Sequence, residues 1–282
     1  IGWKLTNQET SIGQFTMLRS FFFLSFNSIK FFFNFGKNYQ EMIVSHNRIE
    51  SVISIPTDSV GGKVLENINS VKALNLSLNV DGHNIFSSVD FSFEKGQIYL
   101  IMGENGSGKT SFVKTLVGLN MDKFEGEIFY DDIPIQEVDH WFLRNRLISY
   151  VEQDVNLISG SYFENIVVGQ ETYDEERLTQ LLNLFGISPD EDVHDLLNRP
   201  VVVGEEKISG GEKRKISIIR GLLKDPDLLI LDESEADLDG YSRANLLDYL
   251  LTTKSDRITI IISHEKTIQS LADKILLLKE KK

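Results

Sequence analysis

The chain has 282 residues, 41% of them hydrophobic, and a formal net charge of -13. That length is enough to bury a core in one or two domains. The acidic balance excludes a non-specific nucleic-acid binder, and zero Cys excludes disulfides and thiolate metal sites.

The charge is uneven. Up to Glu66 the chain carries a net +1, and the rest carries -14, so the two parts suit different environments. The first residue is Ile1 rather than Met, which reads as a fragment or processed product. A signal peptide is not expected: the apolar part starts late, no small-residue cleavage site follows it, and helix-like sequence continues past it. The five His lack metal-ligand spacing.

From Ser11 to Ile55 there is no Pro, and Gly occurs only at Gly13 and Gly36, which predicts one long helix. Eight of the 18 Phe fall between Phe21 and Phe35, interrupted by Lys30 and preceded by Arg19. At about 100° per residue, Arg19, Lys30 and Lys37 lie within about 20° of one another, and Asn27 and Asn34 up to about 80° away. Phe21, Phe32 and Phe35 point the other way, although Phe23 and Phe26 share the charged side. Such a helix suits either an amphipathic element of a soluble protein or a membrane segment with one polar stripe.

"IPTDSVGGKV", Ile55 to Val64, reads as a linker. "VKALNLSLNV" and "SVDFSF" alternate like strands of an antiparallel sheet, and "GQIYLIMG" reads as a buried strand entering a Gly-rich turn. "KTSFVKTLVGL" has helical spacing. Asp139 to Arg214 reads as mostly helical, with Leu178, Leu181, Leu182 and Phe185 on one helix face and Gly186 as its stop. "DLLILDE" and "RITIIISH" suit central parallel strands.

"GENGSGKT", Gly103 to Thr110, matches a phosphate-binding loop. Its glycines let successive backbone N–H groups curl around phosphate oxygens, and the following helix points its positive end at the anion. The nucleotide-binding candidates are Gly103, Glu104, Asn105, Gly106, Ser107, Gly108, Lys109, Thr110 and Ser111. Lys109 would reach the outer phosphates, and Thr110 would offer its hydroxyl to Mg2+. In "LLILDESEADLD", Asp232 and Glu233 sit where a buried strand ends. Asp232 there can hold Mg2+, and Glu233 can polarise an attacking water.

Together with "ISGGEKRKISIIRGLLKDPDLLILDE", these features resemble the nucleotide-binding domain of ABC transporters. Ser209, Gly210 and Gly211 match the family's signature core, with Glu212 where Gln is usual. Gln153 matches the Q-loop, Asp239 in "EADLD" the D-loop, and His264 in "IIISHE" the switch histidine. The motifs stand in family order from about Val71 to Lys279. The resemblance implies an α/β P-loop ATPase domain with a mixed sheet core, an antiparallel β subdomain and a helical subdomain. It implies ATP and Mg2+ as ligands, with Glu233, His264 and Gln153 catalytic, and Thr110, Gln153 and Asp232 around the metal. It also implies head-to-tail pairing with a second nucleotide-binding domain, so that each ATP meets the signature segment of the partner. Val80 falls where an aromatic residue usually stacks on adenine, Glu212 adds a negative charge near the nucleotide, and Glu152 replaces the usual proline.

By pattern and placement the opening stretch resembles the last membrane helix of an ABC exporter half and its cytoplasmic extension. The expected layout is residues 1–57 as the end of a transmembrane domain, 58–67 as linker and 68–282 as ATPase domain. The partners implied are the rest of the transmembrane domain, the membrane and an exported cargo, with no nucleic acid. Lys37 and Arg48 would place the ATPase on the cytoplasmic side of a cell membrane. Arg19 and Lys30 would favour a carboxylate-bearing cargo such as a peptide. The alternative is a soluble ABC-type ATPase acting as a mechanical or regulatory module without transport.

Overall fold

The computed structural model describes residues 11–54, 61–80, 82–187, 193–202 and 208–278. The chain divides into two compact units, Ile1–Thr57 and Asp58–Lys282. The 55–60 part of the expected linker lies outside the described residues.

The described part of the first unit is one helix, α1 (Ile12–Ile53), of 42 residues. Ser11 caps it: its side chain accepts from the Gln14 backbone N–H, and the Gln14 side chain returns the bond. Phe22 and Phe26, Phe31 and Phe35, and Phe35 and Tyr39 stack one turn apart, and the Arg19 guanidinium lies 5.6 Å from the Phe23 ring centre. No residue of α1 is buried. Among the described residues, no helix is both long enough and apolar enough to cross a membrane. Arg19, Lys30, Lys37, Asn27 and Asn34 dilute the phenylalanines.

The second unit has an antiparallel sheet of β1 (Ser70–Val80), β2 (His83–Glu94), β4 (Phe124–Tyr130) and β5 (Ile133–Pro134), in the order β2-β1-β4-β5. Its parallel sheet contains β3 (Ile98–Met102), β6 (Ile148–Val151), β9 (Leu228–Asp232), β10 (Ile258–Ile262) and β11 (Lys274–Leu277), in the order β11-β3-β10-β9-β6. A short pair, β7 (Gly160–Ser161) with β8 (Pro200–Val201), completes the strands. β9 and β10 are buried along their whole length, which is why "LLILD" and "ITIII" carry no polar alternation.

The main helices of this unit are α2 (Lys109–Leu116), α3 (Tyr162–Val167), α4 (Glu175–Phe185), α5 (Gly210–Leu223) and α6 (Gly240–Thr252). One face of the parallel sheet shares a core with the antiparallel sheet and α2, through residues such as Phe93, Tyr99 and Phe112. The other face packs with α3 to α6. In α4 the four expected residues, Leu178, Leu181, Leu182 and Phe185, are buried, and Gly186 closes the helix in the left-handed region at φ 56°.

The 139–214 stretch, read as mostly helical, also holds three strands: β6, which pairs with β9 at the edge of the parallel sheet, and the short β7 and β8. Four residues, "ISYV", are too few to show a period among helical neighbours.

Candidate functional site

The loop after β3 builds the site. Gly106 and Gly108 both have φ 86°, a conformation that disfavours any side chain. A Cβ at Gly108 would also lie 2.7 Å from Ile85 Cγ2. Glycine therefore lets the loop pass under β2 and start α2. Lys109 is almost buried, and its Nζ donates to the Gly103 and Glu104 carbonyls at 2.9 and 3.0 Å. Its charge is folded onto the loop that it serves.

β9 delivers Asp232 and Glu233. Asp232 is 1% exposed, and its Oδ2 accepts from Thr110 Oγ1 at 2.8 Å and from the Tyr150 hydroxyl at 2.9 Å. Burial first, then the charge of Asp232, pushes the Tyr150 phenol well above its ordinary value, so it stays a donor. Glu233 has φ 46°, in the left-handed region, which costs a non-glycine residue about 1–3 kcal/mol. Its backbone N–H donates to the Ile262 carbonyl, and its carboxylate accepts from Gln153 Nε2 at 2.8 Å. His264 Nε2 stands 3.7 Å from the other carboxylate oxygen, beyond hydrogen-bond reach.

A cavity of 440 Å³ is lined by Ile85, Gly106, Lys109, Thr110, Gln153 and Glu233, with Asn105, Gly108 and Ser111; Asp232, Tyr150 and His264 are not in its lining. The hydroxyl of Thr110 and the carboxylate of Asp232 are hard oxygen donors next to it, the kind of ligand that Mg2+ takes.

Ser209, Gly210, Gly211 and Glu212 do not line this cavity. They form the start of α5, where Ser209 and Glu212 cap each other. Ser209 Oγ accepts from the Glu212 N–H, and Glu212 Oε2 accepts from the Ser209 N–H and hydroxyl. The extra charge of Glu212 is partly met within the chain: Arg199 stands 3.6 Å away, and the Tyr162 hydroxyl donates to it at 3.4 Å. Asp239 caps α6, and hydrogen bonds from Lys215, then from the Ser242 N–H, hold its carboxyl far below the usual range.

Val80 is outside the cavity lining, where Ile85 of β2 is found instead. Phe86, the next residue, is 4% exposed and packs edge-on against Phe112 at 5.4 Å, so it is committed to the core. Sequence reasoning missed Ile85 and Tyr150. The alternation of β2 offered a signal for Ile85, which stands next to core-facing Phe86; the hold of Tyr150 on Asp232 spans 82 positions and left none.

A parallel sheet flanked by helices, with a glycine loop and the strand-end Glu233 on one cavity and buried Asp232 bonded to Thr110 beside it, defines a P-loop nucleotide-binding protein. Residues 86–236 match the family model described as ABC transporter, and the chain belongs to that family. It is 30% identical over 230 residues to Multidrug resistance protein 1 of Entamoeba histolytica, covering 78% of this chain and 17% of that protein. It is 30% identical over 276 residues to an ATP-dependent lipid A-core flippase of Bordetella avium, covering 94% of this chain and 46% of the flippase. With the transport/processing ATP-binding protein ComA of Streptococcus pneumoniae it shares 26% over 281 residues, 97% of this chain and 39% of ComA. The fold superposes on a bacterial Atm1-family ABC exporter with ATP bound at a TM-score of 0.74, with 23% identity, covering 86% of this chain and 44% of that one. The chain thus spans less than half the length of each of these relatives.

Proposed function

We propose that this chain is the ATP-hydrolysing end of an ABC exporter half, with α1 as the last part of its transmembrane domain. The observation that carries this is the cavity where Lys109, Thr110, Gln153 and Glu233 meet beside Asp232. The similarity to the transport/processing ATP-binding protein ComA covers 97% of the chain and so extends well into α1, which supports this reading of the helix.

In this reading Lys109 exchanges the Gly103 and Glu104 carbonyls for the outer phosphates of ATP, and the backbone N–H groups of 103–111 cradle the rest. Thr110 and Asp232 would hold Mg2+, which neutralises charge on the phosphates when bound. Glu233 takes the proton of the attacking water, oriented by Gln153, and His264 reaches the outer phosphate. The Ser209–Gly211 segment serves the nucleotide of a second domain paired head to tail, because it stays outside the cavity of its own chain. The full protein sits in a cell membrane with this domain in the cytoplasm. In α1 the stripe of Arg19 and Lys30 faces a wet path and favours an anionic, carboxylate-bearing cargo.

Cysteine labelling tests the membrane part, and residues 1–282 contain no Cys of their own. In the full-length protein in membranes, cysteine at 19 and 30 reacts with a water-soluble thiol reagent, while cysteine at 21 and 32 is protected. Equal labelling of all four favours a soluble ATPase module.

The base is held weakly in this reading, since no aromatic ring lines the cavity among the described residues. Stacking contributes about 1–3 kcal/mol per base, or roughly 5- to 150-fold in affinity. The wild type is expected to bind ATP and GTP with affinities within about tenfold of each other. Val80→Tyr tightens ATP binding if the β1–β2 turn lays its ring over the base. A strong wild-type preference for ATP, unchanged in Val80→Tyr, refutes this.

A further inference from the structure

We infer that Arg214 is a positioning residue for hydrolysis, because its guanidinium fork fixes the backbone on both sides of Gln153. This rests on the reading of Gln153 and Glu233 as the groups that handle the attacking water.

Arg214 lies in the second turn of α5 and is 4% exposed. Its Nη1 donates to the Glu152 carbonyl at 2.9 Å, and its Nη2 to the Gln153 carbonyl at 2.6 Å. These two carbonyls belong to the peptide units before and after the Gln153 Cα. Nη2 also approaches Asp237 Oδ2 at 3.3 Å, in the segment between β9 and α6. Burying a guanidinium is costly unless its donors are used. Here they are spent on two main-chain carbonyls at 2.9 and 2.6 Å and, at the longer 3.3 Å, on one carboxylate, while Nε has no partner among the described residues. An arrangement built only to stabilise α5 would have no need to grip this one residue from both sides.

The consequence runs along a short chain of contacts. With both peptide units held, the Gln153 side chain is directed into the cavity, where it donates to Glu233 at 2.8 Å. Arg214 also ties this geometry to α5, whose first residues are the Ser209–Glu212 cap. Next to it, Lys215 reaches Asp239 at 2.8 Å, so two consecutive cations of α5 hold the Q-loop and the segment after β9 together. A shift of α5 therefore moves Gln153 relative to Glu233. A planar fork suits this task because it meets two acceptors in fixed geometry, whereas the ammonium of Lys is a point charge.

The test is a mutant cycle on ATP hydrolysis by the full-length protein. Arg214→Gln is expected to lower turnover at saturating ATP by about 10- to 100-fold, the usual effect of losing a group that orients a functional one. Its KM for ATP stays within about twofold of wild type, because phosphate binding is untouched. In a Gln153→Ala background the same change costs less than about twofold, since the group it positions is gone. Arg214→Lys keeps the charge beside Asp237 without the fork, and it loses turnover as Arg214→Gln does. An equal loss in both backgrounds overturns the proposal, and so does full activity of Arg214→Lys. If thermal melting shows Arg214→Gln to be misfolded, the cycle is run with Arg214→Lys. Glu233→Gln serves as the control: if it leaves turnover intact, the reading of the site fails and not the role of Arg214.

Discussion

Glu233→Gln is expected to bind ATP as the wild type does and to hydrolyse it about 10²- to 10⁴-fold more slowly, the usual contribution of a positioned general base. The substitution keeps the shape of the side chain and an oxygen for the Gln153 amide, which now donates at 2.8 Å. What it removes is the ability to take a proton. Asp232 cannot substitute, because its Oδ2 already accepts from both Thr110 and Tyr150 and the side chain is 1% exposed. His264, at 3.7 Å from Glu233, is close enough to orient a ligand but makes no hydrogen bond to this carboxylate. The left-handed backbone at Glu233, φ 46°, turns the chain at the end of β9, and its carboxylate lines the cavity. Phosphate release and nucleotide retention by the full-length protein measure the effect, with a nucleotide-bound dimer accumulating. Unchanged turnover would remove Glu233 from the mechanism.

What the sequence disclosed follows from how local each feature is. The glycine loop, the carboxylate pair after β9 and the apolar runs of β3, β9 and β10 are continuous segments, so composition and order expose them. The helical pattern from Ser11 onward was equally plain, and α1 starts at the capping Ser11. The charged residues that define its stripe also lower its hydropathy, and no described helix is apolar enough to cross a membrane. β6 was hidden by its length of four residues. The contacts of Tyr150 with Asp232 and of Arg214 with the Q-loop carbonyls join positions 82, 62 and 61 residues apart. No local period encodes such pairs, and a main-chain acceptor leaves no residue type to recognise. The role of Glu212 was likewise incomplete from sequence, where it stood as an added charge; folding makes it half of a capping box as well.

Lys109→Ala is expected to lose ATP affinity by about 30-fold or more, taking about 2–5 kcal/mol for truncating one member of a buried, hydrogen-bonded charge pair. The size follows from where Lys109 sits. It is 7% exposed, at the first turn of α2 and on the wall of the cavity, so its charge acts on phosphate oxygens with little solvent between them. Lys114 is the other cation of α2, one and a half turns away, and it is engaged with Glu152 at 3.3 Å and the Tyr150 ring. It cannot take over. Lys109 holds the Gly103 and Glu104 carbonyls, and the variant frees both. A separate measurement must therefore distinguish a damaged loop from a missing charge. Calorimetry with Mg2+-ATP gives the affinity, and thermal melting with and without ATP gives the fold and the linked stabilisation. The expected pattern is a melting temperature close to wild type without ATP and almost no rise when ATP is added. A wild-type affinity, or a normal rise on adding ATP, would show that the loop binds phosphate through its backbone alone and would overturn the role given to Lys109.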